Sequence, residues 1–571
     1  MSTDTSSTDM HRYAVVDMGS NGIRFTITNL APPTGRNMPT LFHDRAGISL
    51  HDAQFTSSGE KCPIPEDIIK RVITRFLRFK ITCQDFGVPA ENIYVLATEA
   101  TRTASNSEEF RRRITERTGW EVQLLSKEEE GRIACSGVAS SGRRVRGLVM
   151  DLGGGSVQLS WVVERNGVVE TCEKGSFSFP YGAAALVKRL EGLKGEDNGK
   201  SKKKDSEKGA EDELKEEMKG KFRRAFSQLD LPEELRDGGF NLYLSGGGFR
   251  GWGYLLMSQA RVDPYPIPII NGYRASKSEF HDMKLVLNAV SDDKDKVYGM
   301  SKRRASQIPA VAVLVNVVVD AIPMIKNIQF CQGGIREGFL FNKLPVEIRA
   351  QDPLLAATLQ YAPPSRDLIK DLLQSVLPAT PSSISSSRPP ESISPIFLTS
   401  LANLLYVHSN TPKETRTATA LHSTTTGILA STNNLTHIDR ALLALILAEG
   451  WTGDLTSADE TFRDRLRMCI SPQEAWWARY LGRVAAMICD VYPSGVVPDP
   501  WRIRLETEWQ CGIKKKETCD FLRLKVRCNN VVEGEVMREV LVDTAEWIEK
   551  LGKKKKWVDG YGVRLVVEVL Y

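Results

Sequence analysis

The sequence lacks closely spaced cysteine pairs and has little net charge, and each of these features argues against a class of function. Its ten cysteines are scattered over 571 residues without a C-x-x-C pair, which predicts neither a zinc site nor a disulfide framework. Its formal net charge of +5 is small beside 76 basic and 71 acidic residues. The sequence therefore predicts no nucleic-acid partner, and its two lysine runs, at 201–204 and 553–556, are interpreted as solvated surface.

Long hydrophobic runs are scarce as well. The opening segment MSTDTSSTDMHR is polar and lacks the pattern of a secretory signal. The longest apolar run, residues 308–325, contains Asn316 and Asp320 and has a proline near each end. These features favour a buried helix over a membrane span. We expect a cytoplasmic protein that does not enter a membrane.

The chain changes character along its length. Strand and helix signals alternate through the first 345 residues, which favours an α/β fold. Within them, residues 192–220 are almost all charged or small, which predicts a mobile insertion that adds nothing to the core. A Pro/Ser-rich stretch at 362–395 is interpreted as a linker. Beyond it, residues 396–571 show helical periodicity and then strand-like alternation around one helix, which predicts a mainly helical domain with a small α+β end.

A repeated strand–turn–strand pattern is the most informative feature. Residues 13–28 read YAVVDMGSNGIRFTIT and residues 147–161 read GLVMDLGGGSVQLSW. Each has an apolar strand that ends in aspartate, a turn of glycine and serine, and a second strand of alternating apolar residues. Such turns present backbone N–H groups that bind anions, phosphate above all. Two ordinary hairpins are the alternative, but their repetition favours a phosphate clamp.

A third glycine cluster follows the apolar strand FNLYLS. Gly246, Gly248 and Gly251 fit the G-x-G-x-x-G spacing of dinucleotide sites. However, no acidic residue closes a following strand at the distance which that motif requires. We therefore expect a loop that passes close to a nucleoside or a phosphate chain on the far side of the same cleft.

Together these motifs resemble the actin/Hsp70/sugar-kinase superfamily and, within it, the exopolyphosphatase/guanosine-pentaphosphate phosphatase (Ppx/GppA) family. Three further stretches carry the closer likeness: VLATEATR at 95–102, LLSKEEEGRIACSGV at 124–138 and QFCQGGIREGFL at 329–340. The resemblance implies an α/β fold of two actin-like (ASKHA, ribonuclease H-like) lobes around a central cleft. Lobe I would span 11–145 and lobe II 146–345, ahead of the C-terminal domain at 396–571.

The resemblance also implies a ligand and a set of site residues. The ligand would be ATP, polyphosphate or a guanosine polyphosphate, bound with Mg²⁺ that is held through its waters by Asp17 and Asp151. The candidate binding residues are Asp17, Gly19, Ser20, Asn21, Arg24, Arg102, Asp151, Gly153, Gly154, Gly155, Ser156, Gln158, Gly246, Gly247 and Gly248.

One glutamate among residues 128–130 is the candidate activator of a water molecule. Ser126 and Glu129 fit a capping box, which gives Glu129 a structural role. Glu130 is then left to point elsewhere, and the resemblance places the catalytic glutamate of the family at Glu130. The alternative is an acidic helix start that suits the helix dipole.

Gln158 departs from the family pattern G-G-G-S-x-E. Strand alternation places Gln158 on the same face as Ser156, towards the phosphate, but an amide carries no charge and accepts no proton. Binding is therefore expected to be retained, and hydrolysis to be weakened.

Two functions remain open at this point. The first is a regulator that binds a phosphoanhydride between its lobes and controls a partner protein. Likeness to a fungal signalling member of the family implies a role in communication from mitochondria to the nucleus. The second is an active Mg²⁺-dependent exopolyphosphatase or nucleotide phosphohydrolase.

The C-terminal region is expected to serve packing or partner docking. In it His437 and Asp439 make the nearest approach to an adjacent His-Asp pair, so a metal site of the HD phosphohydrolase type is not predicted. The sequence also allows a homodimer.

Overall fold

A computed structural model describes residues 9–56, 60–194, 203–236, 238–281, 297–378, 388–432, 434–514, 517–529 and 534–571. The chain forms two units. The first comprises Met1–Arg261 and Ile269–Pro353, and the second comprises Val262–Pro268 and Leu354–Tyr571.

The described residues of the first unit form twelve strands and twelve α-helices. Its strands are β1 (Arg12–Gly19), β2 (Gly22–Asn29), β3 (Thr40–Ala46), β4 (Ile93–Ala97), β5 (Val122–Leu124), β6 (Arg146–Leu152), β7 (Val157–Arg165), β8 (Val168–Thr171), β9 (Phe177–Phe179), β10 (Phe240–Ser245), β11 (Arg274–Ser276) and β12 (Ile325–Phe330). Its helices are α1 (Glu66–Asp85), α2 (Glu99–Arg102), α3 (Ser107–Thr118), α4 (Lys127–Ser140), α5 (Ala183–Lys194), α6 (Lys203–Gln228), α7 (Gly247–Ser258), α8 (Lys277–His281), α9 (Lys302–Ala305), α10 (Ile308–Ala321), α11 (Ile335–Lys343) and α12 (Val346–Arg349).

The first sheet has the strand order β3-β2-β1-β4-β5. β1 pairs antiparallel with β2 and parallel with β4. The alternation along β2 buries Ile23, Phe25 and Ile27, because successive side chains of a strand point to opposite faces. Phe25 packs against Phe76 and Phe79 of α1, with ring centroids 5.6 and 5.0 Å apart. This lobe therefore has a core of its own.

The second sheet repeats this arrangement. Its order is β11-β12-β10-β6-β7-β8, with β9 paired to β7. β6 pairs antiparallel with β7 and parallel with β10, as β1 does with β2 and β4. In register, Asp17 pairs with Arg24 and Asp151 pairs with Gln158. The two actin-like lobes predicted from the sequence are therefore present, and each places an aspartate at the same point of its hairpin.

Two helices from different ends of this unit cross on glycines. An added Cβ at Gly338 of α11 would lie 1.9 Å from the carbonyl oxygen of Ile133 in α4. An added Cβ at Gly137 of α4 would lie 2.3 Å from the carbonyl oxygen of Gly334. Because the backbones approach so closely, no larger residue fits at either position. The stretch at 329–340 contains the end of strand β12 and the start of α11.

The charged insertion at 192–220 differs from its prediction. Residues 203–220 belong to the 26-residue helix α6, while residues 195–202 lie outside the described part of the chain. Leu214, Met218 and Phe222 of α6 are buried. Their spacing of four residues places them on one face of a helix. This face packs in the core, although most of the other residues of the segment are charged.

The second unit combines helices with a small sheet. Its helices are α13 (Pro353–Thr358), α14 (Arg366–Ser375), α15 (Pro395–Leu404), α16 (Lys413–His422), α17 (His437–Gly450), α18 (Ser457–Met468), α19 (Pro472–Val491) and α20 (Gly534–Glu549). The strands of its sheet are β13 (Ile503–Lys514), β14 (Glu517–Cys528) and β15 (Arg564–Leu570), and they lie side by side in that order. Trp476 and Trp477 of α19 are fully buried in its core. The helical domain with an α+β end is confirmed.

The predicted linker at 362–395 is shorter than expected. Residues 366–375 form α14, in which Ile369 and Leu373 are fully buried. Their spacing of four residues is that of one helix face. The prolines and serines of the neighbouring segments dominate the composition of 362–395, so the composition alone predicted a linker. Residues 379–387 of this stretch lie outside the described residues.

The longest apolar run is a core helix, as predicted. Residues Ile308–Ala321 of this run form α10, a 14-residue helix that is buried over most of its length. In the part of the chain that the structure describes, no helix combines the length and the apolar character that crossing a bilayer requires.

We expect Gly338→Ala to lower the free energy of unfolding of the first unit by about 1–3 kcal/mol, the usual range for overpacking a close contact. Gly220→Ala in α6 is the matched control, because an added Cβ there meets no atom within 4 Å. The control should stabilise by about 0.5–1 kcal/mol through helix propensity. Denaturant unfolding of the full chain measures both; equal effects of the two variants would show that the crossing tolerates a methyl group.

Candidate functional site

The two glycine-rich turns meet at a cavity of about 210 Å³. Ser20 and Asn21 form the tip of the β1–β2 turn. Residues 153–156 form the β6–β7 turn, in which the amide of Gly153 donates to the carbonyl oxygen of Ser156 at 3.0 Å. An added Cβ at Gly154 would lie 1.7 Å from the Asn21 amide nitrogen. The turns can therefore approach this closely only because residue 154 is glycine.

The cavity wall contains all the candidate residues predicted from the sequence except Arg102. From the first lobe and its helix α4 come Asp17, Gly19, Ser20, Asn21, Arg24 and Glu130. From the second lobe come Asp151, Gly153, Gly154, Gly155, Ser156, Gln158, Gly246, Gly247 and Gly248.

The third glycine cluster begins a helix and not a loop, which corrects the expectation. Gly246 has φ +91°, a left-handed conformation that favours glycine, and α7 starts at Gly247. An added Cβ at Gly248 would lie 2.4 Å from Leu152 Cδ2. These glycines thus let the strand turn sharply and bring the amide end of a 12-residue helix to the cavity, where its dipole favours an anion.

Arg102 lies behind Glu130. Its guanidinium donates to the carbonyl oxygen of Leu125 and, at 3.3 Å, to Glu130 Oε2. The side chains of Arg102 and Glu130 are only 20% and 14% exposed. The structure therefore places Arg102 where it can hold Glu130 in position.

Glu130 enters the cavity because the residues before it are used in capping α4. Ser126 Oγ accepts from the Glu129 amide at 3.1 Å, and the Ser126 amide donates to Glu129 Oε2 at 2.8 Å. This capping box was predicted. It occupies Glu129 and leaves Glu130, one helical position further, to face the cavity.

The carboxyl group of Glu130 is held near the point of ionisation at neutral pH. Its pKa is raised to about 7, mainly by burial; Arg102 opposes the shift, and the charges of Glu99 and Asp151 add to it. A carboxyl group with a pKa in this range can take up a proton and release it at physiological pH.

Both the nitrogen and the oxygen of the Gln158 side-chain amide form hydrogen bonds. Its nitrogen donates to Glu130 Oε1 at 3.4 Å, and its oxygen accepts from Ser176 Oγ at 3.2 Å. A carboxylate at this position could accept from Ser176 but could not donate to Glu130. The glutamine therefore supplies Glu130 with a hydrogen-bond donor that a glutamate at this position would lack.

Asp17 and Asp151 reach the cavity from the two hairpins. Arg24 Nη1 pairs with Asp17 at 3.3 Å, and Ser245 Oγ donates to Asp151 at 2.5 Å. Burial raises the pKa of Asp151, and the charge of Asp17 raises it as well. A bound cation suits this pair, because it would stabilise the charge of the buried Asp151 beside Asp17. They fit Mg²⁺, which takes few protein carboxylates and keeps water or phosphate oxygens as its remaining ligands.

No group of three or more His, Cys, Asp or Glu side chains with metal-binding geometry occurs among the residues that the structure describes. Any cation in the cleft would therefore need oxygens from a ligand or from water in addition to Asp17 and Asp151.

Sequence reasoning missed most of the arginines of the cleft. Burial, together with the positive charges of Arg24 and Arg304, lowers the pKa of Arg250 to about 10. Burial and the same two arginines also lower the pKa of Arg45. Arg45 in β3 and Arg303 and Arg304 in α9 belong to no motif, whereas Arg250 lies beside the third glycine cluster and Arg336 lies within the stretch QFCQGGIREGFL, so only these last two had a local signal. The cavity-lining arginines that were missed are Arg45, Arg250, Arg303, Arg304 and Arg336.

Comparison with known proteins assigns the family. Residues 30–347 match the model of the Ppx/GppA phosphatase family, and residues 352–571 match that of the RTG2 C-terminal domain. The chain belongs to the Ppx/GppA family. Over 548 residues it is 40% identical to "Retrograde regulation protein 2" of Saccharomyces cerevisiae, covering 92% of this chain and 89% of that protein.

Two further proteins are similar at lower identity or over a shorter stretch. Over 151 residues the chain is 30% identical to "Guanosine-5'-triphosphate,3'-diphosphate pyrophosphatase" of Vibrio cholerae, covering 26% of this chain and 28% of that protein. It is also similar to the crystal structure of an Aquifex aeolicus Ppx/GppA family member, with a TM-score of 0.44 and 22% identity, covering 58% of this chain and 97% of that one.

The two matched regions correspond to the two units of the chain. The Ppx/GppA region contains Glu130, Asp151 and Gln158 of the cleft, and the RTG2 C-terminal region begins two residues before Leu354, where the second unit resumes. The β1–β2 hairpin, with Asp17 and Arg24, precedes the region that matches the Ppx/GppA model. Its assignment to the cleft therefore depends on the structure.

We expect Glu130→Gln to gain stability relative to the wild type as pH rises from 5 to 8. Because the pKa of Glu130 is raised in the folded chain to about 7, the folded state holds this proton more tightly than the unfolded state. Wild-type stability is thus lost as pH rises through about 7, by up to about 3 kcal/mol, and glutamine removes the loss.

Denaturant unfolding at several pH values in the presence of EDTA measures this difference. Glu128→Gln, on the same helix turn outside the cavity wall, is the control. A difference between Glu130→Gln and the wild type that stays constant with pH would contradict the raised pKa.

Proposed function

We propose that this chain is a regulatory member of the Ppx/GppA family. It binds a phosphoanhydride, namely ATP, polyphosphate or a guanosine polyphosphate, in the cleft between its lobes and thereby controls a partner protein. The observation that carries the proposal is the cluster of arginines that line the cavity around two glycine-rich turns and a helix N-terminus.

The charge of the cleft supports a polyanionic ligand. Arg250 and Arg304 are partly buried, and burial lowers the pKa of each, with a further lowering by the charge of Arg24. A bound phosphate chain would remove this repulsion, because arginine forms strong charge-assisted hydrogen bonds with phosphate oxygens. Backbone amides of the two turns would supply further donors.

The two carboxylates support a metal-bound form of that ligand. Asp17 and Asp151 would hold Mg²⁺ through its water ligands, and the ion would neutralise part of the phosphate charge. Ser245 orients Asp151 and Arg24 orients Asp17, so both carboxylates are fixed before any ligand arrives.

The position of the ligand supports a switch. Residues of both lobes line the one cavity, and Ser156 Oγ of the second lobe donates to Glu99 of the first at 3.1 Å. A ligand held by both lobes binds the closed arrangement better than an open one and shifts the population towards it. A partner protein that binds one arrangement would then respond to the ligand.

A signalling role agrees with the relatives. The protein that is 40% identical over nearly the whole chain is named for retrograde regulation, and the likeness includes the second unit. We infer a role in retrograde regulation for this chain as well.

We expect Arg304→Gln to weaken binding of Mg-ATP, polyphosphate or guanosine tetraphosphate about tenfold or more, because a hydrogen bond to a charged group contributes roughly 1.5–3 kcal/mol. Lys302→Gln is the matched control, since it lies in the same short helix α9 and Lys302 is not part of the cavity wall. Calorimetric titration of the full chain measures both. Equal affinity of the two variants for every one of these ligands would contradict binding in the cleft.

A specific observation also favours hydrolysis as a second function. Glu130 is buried, oriented by Arg102 and has a pKa of about 7, as a general base requires. In that reaction Glu130 takes a proton from a water, the water oxygen bonds to the terminal phosphorus, and the phosphoanhydride P–O bond breaks with its electrons on the leaving oxygen. Against this, both oxygens of Glu130 already accept hydrogen bonds, from Gln158 and Arg102.

We expect the wild type to bind ligand without releasing phosphate and Gln158→Glu to gain Mg²⁺-dependent release. A second carboxylate 3.4 Å from Glu130 would favour a cation there and free one oxygen of Glu130. Phosphate release and binding are measured on the same samples, with Gln158→Met as the control that removes the amide without adding charge.

Phosphate release by the wild type that rises with pH through about 7 and disappears in Glu130→Gln would instead establish the hydrolase and reject the regulator that only binds.

A further inference from the structure

The second unit contains a cavity larger than the one in the cleft. Its volume is about 480 Å³, within the roughly 300–1,000 Å³ of small-molecule sites. Helices α17, α18 and α19 form most of its wall, and Trp547 and Trp557 complete it. None of the residues named in the cleft contributes to it.

Four arginines line this cavity in two matched pairs. Arg463 and Arg467 are four residues apart on α18, and Arg479 and Arg483 are four residues apart on α19. Like charges at this spacing on a helix repel each other. Both pairs face the same space, so the repulsion also acts between the helices.

The carboxylates of the cavity wall do not balance these charges. Glu449 pairs with Arg483 at 2.8 Å and with Arg479 at 3.9 Å. Arg463 lies 3.7 Å from Asp464 and 3.8 Å from Glu460, which is not part of the wall. Glu449 and Asp464 are the acidic residues of the wall, so the four arginines leave an excess of positive charge.

One arginine and one tryptophan of the wall also have unused hydrogen-bond donors. Arg467 Nε and Trp557 Nε1 are buried without an acceptor among the described residues. Burial lowers the pKa of Arg479, and the charges of Arg483, Arg463 and Arg467 lower it too, against the effect of Glu449. Buried donors without acceptors are rare in folded proteins unless a water or ligand satisfies them.

Helix stability alone does not account for the cluster. Arg467 lies in the last turn of α18, where a cation suits the helix dipole. Arg479 and Arg483 lie in the interior of α19, where the dipole gives no such stabilisation. A bound anion, in contrast, would stabilise all four arginines together.

The walls of the cavity are aromatic. Trp451, Trp547 and Trp557 line it, and the Arg483 guanidinium lies 4.4 Å from the Trp547 ring centroid. Flat indole faces beside guanidinium groups suit a planar ring that carries a negative charge.

From this arrangement we propose that the second unit binds a small organic phosphate with a planar ring, of the size of a nucleoside monophosphate, in the cavity between α17, α18 and α19. The arginines bind the phosphate, with Arg467 Nε as one donor, and the tryptophans pack on the ring. This site is separate from the phosphoanhydride cleft and does not depend on the function proposed for it.

Binding is tested on the full chain with adenosine monophosphate as the probe, followed by tryptophan fluorescence and by calorimetry. Inorganic phosphate and adenosine are tested separately, because each carries only one part of the proposed ligand. We expect saturable binding of adenosine monophosphate with a fluorescence change that Trp557→Phe largely removes, and weaker binding of both fragments.

The variants identify the site. Arg467→Gln should weaken binding of adenosine monophosphate about tenfold or more, and Arg467→Lys should restore part of it. Arg465→Gln is the matched control, on the same helix but not part of the cavity wall. Arg304→Gln in the cleft should leave the Trp557-dependent signal unchanged, which separates this proposal from the one for the cleft.

Three results would overturn the proposal. The first is the absence of a saturable, Trp557-dependent change with adenosine monophosphate at millimolar concentration. The second is an equal effect of Arg467→Gln and Arg465→Gln in variants that circular dichroism shows to be folded. The third is inorganic phosphate binding as tightly as the nucleotide, which would reject the planar-ring part and leave only an anion site.

Discussion

The contact of Asn21 with Gly154 is the constraint on which the cleft depends. The amide of Asn21 occupies the space that a side chain at residue 154 would need, so the two hairpin turns are as close as backbone and side chain allow. This contact joins the tips of two hairpins that carry Asp17 and Asp151 in equivalent register. The distance between the two carboxylates is thus fixed by the packing of the turns, and residues of both turns line the same cavity.

The electrostatics of the cleft follow from this close approach. Burial raises the pKa of Asp151 and Glu130 and lowers that of Arg250 and Arg304, so both kinds of charge are disfavoured in the same cavity. They do not neutralise each other fully, because the arginines adjoin other arginines and the carboxyl groups adjoin other carboxyl groups. A ligand that brings an anion to the arginines and a cation to the carboxylates would stabilise both kinds of charge. A metal-bound phosphate chain has this distribution of charge.

Local signals explain what the sequence could predict. The hairpins, their aspartates and the capping box of Ser126 and Glu129 depend on neighbours within a few residues, and the structure has all of them. Arg45, Arg303 and Arg304 join the cleft only through the packing of β3 and α9 near the turns, so no nearby pattern marks them. The apolar stripe of α6 and the short helix α14 were hidden for a different reason: composition averages over a segment, whereas burial depends on one face of a helix.

Gln158 occupies the position in the second hairpin that Arg24 occupies in the first, each paired in register with the aspartate of its strand. Arg24 neutralises Asp17, but Gln158 leaves Asp151 and turns its donor towards Glu130. A glutamate at 158 would stand as a like charge beside Glu130, and the pair would need a shared proton or a cation. The amide removes that requirement and satisfies Glu130 by a hydrogen bond alone. The cleft therefore keeps the arginines and glycine-rich turns proposed to bind phosphate, while its candidate base already accepts hydrogen bonds. This is the arrangement expected of a protein that detects a phosphoanhydride more readily than it cleaves one.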